Sequence, residues 1–134
     1  MPSLTGRVEI CLSVPDPRRS AEWYAELLGM EKSYEHRPAD GRPDYFCLTE
    51  PASQFVLCLV GHHTQDEDRF DETRTGLDHL EFMVERRSDL DDWARRLDQL
   101  GIYHSGVKVP EHTKNAMLTF RDPDNIQLEF FWRA

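Results

Sequence analysis

Val8-Glu9-Ile10-Cys11-Leu12-Ser13-Val14, followed by Pro15-Asp16-Pro17 and then by Ser20 to Leu28-Gly29, is the stretch that decides the fold. Val8, Ile10, Leu12 and Val14 alternate with Glu9, Cys11 and Ser13, and a period of two residues builds a strand with one apolar face. Beyond the Pro-Asp-Pro turn, Tyr24, Leu27 and Leu28 recur at helical spacing, and Gly29 supplies a left-handed stop. Short strands are expected at residues 31–35, 45–48 and 55–60, separated by Ala39-Asp40-Gly41-Arg42-Pro43 and by Glu50-Pro51-Ala52-Ser53. The first half reads βαβββ.

The second half repeats this pattern. Residues 78–84 form a strand, and Ser88 is placed as the N-cap of a helix carrying Leu90, Trp93, Ala94, Leu97 and Leu100 before Gly101. Strands then recur near residues 104–109, 116–120 and 126–132. Trp23 aligns with Trp93 at an offset of 70, and both Leu28-Gly29 with Leu100-Gly101 and Pro51 with Pro123 at 72. A tandem pair is too few units for a solenoid, so the expectation is an α+β chain whose modules pack side by side into one domain over residues 1–134. Module 1 spans about 7–60 and module 2 about 77–132, with the polar, acidic stretch 61–76, including Gln65-Asp66-Glu67-Asp68, as a linker given no structure of its own.

The 134 residues suffice for a real core without disulfides or a structural metal. With 16 Lys+Arg against 25 Asp+Glu the net charge is −9, which repels phosphate backbones. The basic residues fall in isolated pairs, Arg18-Arg19, Arg86-Arg87 and Arg95-Arg96, so nucleic acid is excluded as a partner. No apolar stretch approaches the roughly 18 residues of a membrane span, which excludes membrane insertion. The N-terminal residues lack the basic start and apolar run of a signal peptide, and a cytoplasmic location is expected. Cys11, Cys47 and Cys58 are odd in number and lack C-x-x-C spacing. They read as reduced thiols, neither a disulfide framework nor a zinc knuckle.

Three further segments carry a resemblance: Val14-Pro15-Asp16 with Ser20, Trp23-Tyr24 and Leu28-Gly29; Gly76-Leu77-Asp78-His79-Leu80-Glu81-Phe82; and Phe120-Arg121-Asp122-Pro123-Asp124-Asn125 leading into Leu128-Glu129-Phe130. Over nearly its whole length the chain resembles the vicinal oxygen chelate superfamily, which includes glyoxalase I, extradiol dioxygenases, methylmalonyl-CoA epimerase, fosfomycin-resistance thiol transferases and bleomycin-resistance proteins. The resemblance implies two βαβββ modules curved into one cup-shaped mixed-sheet domain holding a divalent metal. It implies His79 and Glu129 as metal ligands of the second module. Glu9 occupies the first module's usual histidine position, and Cys58 falls on the fourth ligand position. Fosfomycin-resistance members leave that position unused, whereas glyoxalase I fills it, so true glyoxalase I activity is not expected.

Read without the family, Glu9, His79, Cys58 and Glu129 each lie among apolar neighbours in period-two strands and share the face turned away from the helices. Glu9, His79 and Glu129 would offer one imidazole and two carboxylates, a set that neutralises a divalent ion and leaves open positions for substrate. Oxygen-rich ligation leans toward Mn²⁺ or Fe²⁺, participation of Cys58 would pull toward Zn²⁺, and Co²⁺ and Ni²⁺ stay in the set. The competing reading of Glu9 is the relic of a lost site, and that of Cys58 a small buried filler. Two functions follow: a metal-dependent enzyme on a small oxygen-bearing substrate, of glyoxalase-like isomerase or lyase, epimerase or dioxygenase type, or a metal-free small-molecule binding protein of the bleomycin-resistance type.

Glu81, two residues beyond His79, lies on the same face as a weak candidate general base, with a rim carboxylate as its plainer reading. His62-His63 read as a surface loop, His112 and Lys114 as a solvated turn, and Trp23 and Trp93 as structural. Exposed sheet edges, together with the habits of relatives of this size, point to a homodimer.

Overall fold

The structure, a computed structural model, describes residues 1–63 and 69–134. Residues 64–68, which hold the acidic heart of the expected linker, lie outside the described residues. The chain divides into two compact units, Met1–Asp68 and Arg69–Ala134. Unit 1 runs β1 (Glu9–Ser13), α1 (Pro17–Leu28), β2 (Glu31–His36), β3 (Asp44–Thr49) and β4 (Val56–Gly61). Unit 2 runs β5 (Leu80–Met83), α2 (Asp89–Gln99), β6 (His104–Lys108), β7 (Ala116–Arg121) and β8 (Gln127–Trp132). Each is a βαβββ module, as the hydropathy pattern requires.

Each module forms a four-stranded mixed sheet. In unit 1 the order is β1-β4-β3-β2, with β1 parallel to β4 and the other pairs antiparallel. Unit 2 repeats it as β5-β8-β7-β6. The parallel pair follows from the connectivity: the first strand, carried across the sheet by its helix and a hairpin, meets the last strand running the same way.

The helix of each unit covers one sheet face. Tyr24 and Leu27 of α1 are buried, α1 lies against β3 and β4, and Leu57 and Leu59 of β4 are fully enclosed. In unit 2, α2 lies against β6, β7 and β8; Leu90 and Leu97 are sealed, and Trp93 stacks on Phe130 with ring centroids 4.2 Å apart. The structural reading of Trp93 is borne out by that stack, which also includes Phe120, 5.1 Å from Phe130.

Helix α1 begins earlier than the apolar spacing alone suggested. Asp16 is its N-cap, accepting from Arg19 N at 3.0 Å, and Pro17 sits where its missing N–H costs nothing. Gly29 closes it at φ 68°, in the left-handed region. Ser88 makes no side-chain cap on α2. Asp89 instead accepts from Arg86 N at 2.9 Å, and the acidic first turn of Asp89, Asp91 and Asp92 suits the positive end of the helix dipole.

The reading of all three cysteines as reduced thiols is corrected. Cys47 and Cys58 form a disulfide, and Cys11 alone is free. The two residues are directly opposed on the antiparallel β3–β4 pair, Cα atoms 4.0 Å apart, so the hairpin brings the sulfurs together whatever their spacing in sequence.

Part of the expected linker is tied into unit 2. Phe70 N donates to Asp124 O at 2.9 Å, Asn125 Nδ2 donates to Phe70 O at 2.9 Å, and Arg121 forks onto Glu72 at 2.6 and 2.9 Å. The Arg121-Asp122-Pro123-Asp124-Asn125 motif is therefore a turn-forming device. Asp122 Oδ1 accepts from Asp124 N and Ile126 N at 2.9 and 2.8 Å, and Asn125 takes φ 72°.

Candidate functional site

Strand register makes the two modules comparable position by position. Cys11 pairs with Cys58 across the parallel β1–β4 ladder, and Glu81 with Glu129 across β5–β8. Cys58 faces Cys47 on β3, and Glu129 faces Thr119 on β7. Hence Glu9, Cys11, Cys58 and Cys47 correspond to His79, Glu81, Glu129 and Thr119. The turn from Glu50 to Phe55 is one residue longer than that from Asp122 to Ile126, which lowers the offset between copies from 72 to 71.

In unit 2 the imidazole and the carboxylates are electrostatic neighbours. His79 Nδ1 lies 2.6 Å from Asp78 Oδ1 and Nε2 lies 4.0 Å from Glu81 Oε2. Asp78 is exposed, so it holds the ring from the outside and assigns the Nδ1 proton, leaving Nε2 with its lone pair. The bond to Asp78 is the largest cause raising the His79 pKa above the usual histidine value; burial opposes it, and the charges of Glu129, Asp78 and Glu81 reinforce it. Glu129 is only 6% exposed. Burial pushes its carboxyl up, the charge of His79 opposes this, and Glu81 adds to it. A desolvated carboxylate facing an imidazole is costly unless a cation or proton shares it. Here a proton on His79, favoured by the surrounding carboxylates, meets that cost, and a cation could take its place.

In unit 1, Glu9, Cys11 and Cys58 form a second cluster whose ligand atoms all lie within 4.8 Å of one another. Glu9 Oε1 is 3.1 Å from Cys58 Sγ and 3.9 Å from Cys11 Sγ. Burial is the main cause raising the Cys11 thiol, helped by the charge of Glu9. With Cys58 in the disulfide its sulfur has no proton to donate and no thiolate to offer, so the expected fourth ligand position is closed in the oxidised chain. His62 and His63 lie beyond the end of β4 and are exposed, as the loop reading has it, and Ser13 Oγ and His62 Nε2 lie 3.1 Å apart. His112 and Lys114 are exposed in the turn before β7.

The contact of Asp78 with His79 was not anticipated from the sequence. The signal for Asp78 was its adjacency to His79, since a neighbouring carboxylate is the common orienter of a ligating imidazole.

A family model described as the Glyoxalase/Bleomycin resistance protein/Dioxygenase superfamily matches residues 6–130. The chain belongs to this superfamily. It is similar to a structure of a glyoxylase/bleomycin resistance protein/dioxygenase domain from Frankia sp. EAN1pec, at 34% identity and TM-score 0.85 over 98% of this chain and 94% of that one. It is also similar to the trivalent organoarsenical cleaving enzyme of Thermomonospora curvata, 34% identical over 98 residues, 72% of this chain and 55% of that protein. The chain thus spans about half the length of that curated relative. The fosfomycin resistance protein FosX of Listeria monocytogenes, solved with Mn(II) and sulfate, shares the fold at TM-score 0.70 and 16% identity, over 98% of this chain and 95% of that one. No helix among the described residues is long and apolar enough to cross a membrane.

Proposed function

We propose that this superfamily member is a divalent-metal-dependent enzyme acting on a small oxygen-bearing substrate, its two modules forming one vicinal oxygen chelate domain over residues 1–134. The observation that carries the reading is the largely buried Glu129 carboxylate in the field of an imidazole whose Nδ1 is tied to Asp78. His79 Nε2 and Glu129 are the first two ligands. Glu9 is the third, on the family pattern, and the set is completed within one chain or between two copies of a cytoplasmic homodimer.

An ion held by these residues would supply Lewis acidity toward the oxygens of a substrate. The chain's own residues do the rest. Asp78 fixes the His79 tautomer, so the neutral ring presents Nε2 for ligation, and an ion must displace the second proton that the neighbouring carboxylates favour. Glu129, desolvated, contributes charge where water screens it least. Glu81, one-third exposed in its side chain and 4.0 Å from His79 Nε2, is placed to accept a proton from a bound substrate. Mn²⁺, Fe²⁺, Co²⁺, Ni²⁺ and Zn²⁺ all fit an imidazole-plus-carboxylate set. The relative named for cleaving trivalent organoarsenicals supports keeping lyase chemistry beside isomerisation, epimerisation and dioxygenation.

The test is metal content after purification without chelator and after reconstitution with each of the five ions, in the parent and in His79→Ala/Glu129→Ala. About one ion per chain in the parent and none in the variant supports the enzyme. No ion in either overturns the enzyme reading and leaves the metal-free binding protein as the alternative.

A further inference from the structure

Three strands of unit 1 carry a row of sulfurs that the imidazole–carboxylate set does not explain. Cys11 on β1 pairs with Cys58 on β4, and Cys58 pairs in turn with Cys47 on β3. Glu9, two residues before Cys11 and therefore on the same strand face, sets its carboxylate against both Cys58 and Cys11. Cys58 is 1% exposed, whereas Cys11 and Glu9 are open to solvent, so an ion has a route in from one side and a buried thiol to meet.

Separations decide what the cluster fits. A tetrahedral ion with metal–sulfur bonds of about 2.3 Å and metal–oxygen bonds of about 2.1 Å holds its donors roughly 3.6–3.8 Å apart. The donor atoms of Glu9, Cys11 and Cys58 already lie within 4.8 Å of one another, and the closest, Glu9 Oε1 and Cys58 Sγ, are at 3.1 Å. Side-chain rotation alone can close the rest. Two thiolates and one carboxylate select a soft or borderline divalent ion over Mg²⁺, Ca²⁺ or Mn²⁺.

We propose that reduction of the Cys47–Cys58 disulfide opens a thiophilic cation site made by Cys11, Cys58 and Glu9, taking Zn²⁺ or Cd²⁺, so that the bond acts as a redox gate on metal binding. An external dithiol transfers two electrons and two protons to the bond, becoming a disulfide itself and leaving thiols at Cys47 and Cys58. Entry of the ion then releases the protons of Cys11 and Cys58. Reoxidation returns the Cys58 sulfur to Cys47 and removes a donor.

The test titrates Cd²⁺ anaerobically and follows thiolate-to-cadmium charge-transfer absorption in the ultraviolet. The proteins are the oxidised parent, the parent reduced with a phosphine and desalted, Cys11→Ser, Cys47→Ser and His79→Ala. The oxidised parent shows no band. The reduced parent shows one at about one ion per chain, and Cys47→Ser shows the same band without reductant, because Cys58 then has no partner. Reduced Cys11→Ser binds at least tenfold more weakly. Glu9 is shared with the ion of the proposed function, so the two are told apart by their other ligands: reduced His79→Ala keeps the cadmium band while its Mn²⁺ content is lost. A folded Cys47→Ser, checked by circular dichroism, that shows no band overturns the proposal. So does unchanged affinity in reduced Cys11→Ser, which would make Cys47 and Cys58 a simple dithiol chelate.

Discussion

Reducing the Cys47–Cys58 bond removes a cross-link between residues 11 apart in sequence. On the chain-entropy account a closed loop of that size restrains the unfolded chain by about 2.8 kcal/mol. Unfolding entropy of about 2.1 cal/mol/K per residue, over 134 residues, turns this into a fall in Tm of about 10 °C. The native contacts around the bond survive reduction, since both residues stay in register within a sheet whose β3 and β4 are mostly buried. Folding as judged by far-ultraviolet circular dichroism at 25 °C is therefore expected to persist. Paired thermal melts with and without a phosphine, in the presence of chelator so that no ion compensates, measure the difference. Cys11→Ser, which lacks only the free thiol, should show the same drop on reduction as the parent. A reduced parent melting within a degree or two of the oxidised protein would refute the reasoning, because no cross-link would then be restraining the unfolded state.

Glu72 is held down to about 2 by its hydrogen bond to Arg121. A depressed carboxylate stabilises the fold above its unfolded pKa and loses that contribution as pH falls toward 2, so Glu72→Gln should melt lower than the parent at pH 7 and alike near pH 2. Gly61→Ala places a Cβ 2.8 Å from Pro17 Cγ and should cost about 1–3 kcal/mol in urea unfolding, since the proline ring cannot swing aside. Asp78→Ala should weaken binding of the His79 ion about 10–100-fold by calorimetric titration while leaving the melt of the metal-free protein nearly unchanged, because Asp78 is exposed.

The alternation of Val8, Ile10, Leu12 and Val14, and the helical spacing of Leu90, Trp93 and Leu97, made the elements legible because burial on one face leaves a periodic mark in the chain. The same parity placed Glu9, Cys11, His79 and Glu81 on the face away from the helices. Pairing between strands is a different kind of information. The disulfide escaped the cysteine arithmetic because that arithmetic counts spacings along the chain, whereas residues 47 and 58 meet through the register of a hairpin whose turn centres near residue 52. Had the strands 45–48 and 55–60 been folded about that turn, Cys47 would have fallen opposite Cys58. The contact of His62 with Ser13 is hidden in the same way: it spans 49 residues, and only the parallel β1–β4 ladder brings the two together. Asp122 and Asn125 entered as family markers, and the structure gives their physical role, closing the turn that sets the register of Glu129 against Thr119.

His79 and Glu129 are proposed to hold a divalent ion with positions open to substrate. Titration of the chelator-stripped protein with Mn²⁺, followed by water-proton relaxation enhancement, tests both halves at once, because only a bound ion with exchangeable water relaxes the solvent strongly. The account predicts saturation at about one ion per chain, with marked enhancement in the parent and none in His79→Ala or Glu129→Ala. Enhancement unchanged in the two variants, or absent from the parent, would contradict it.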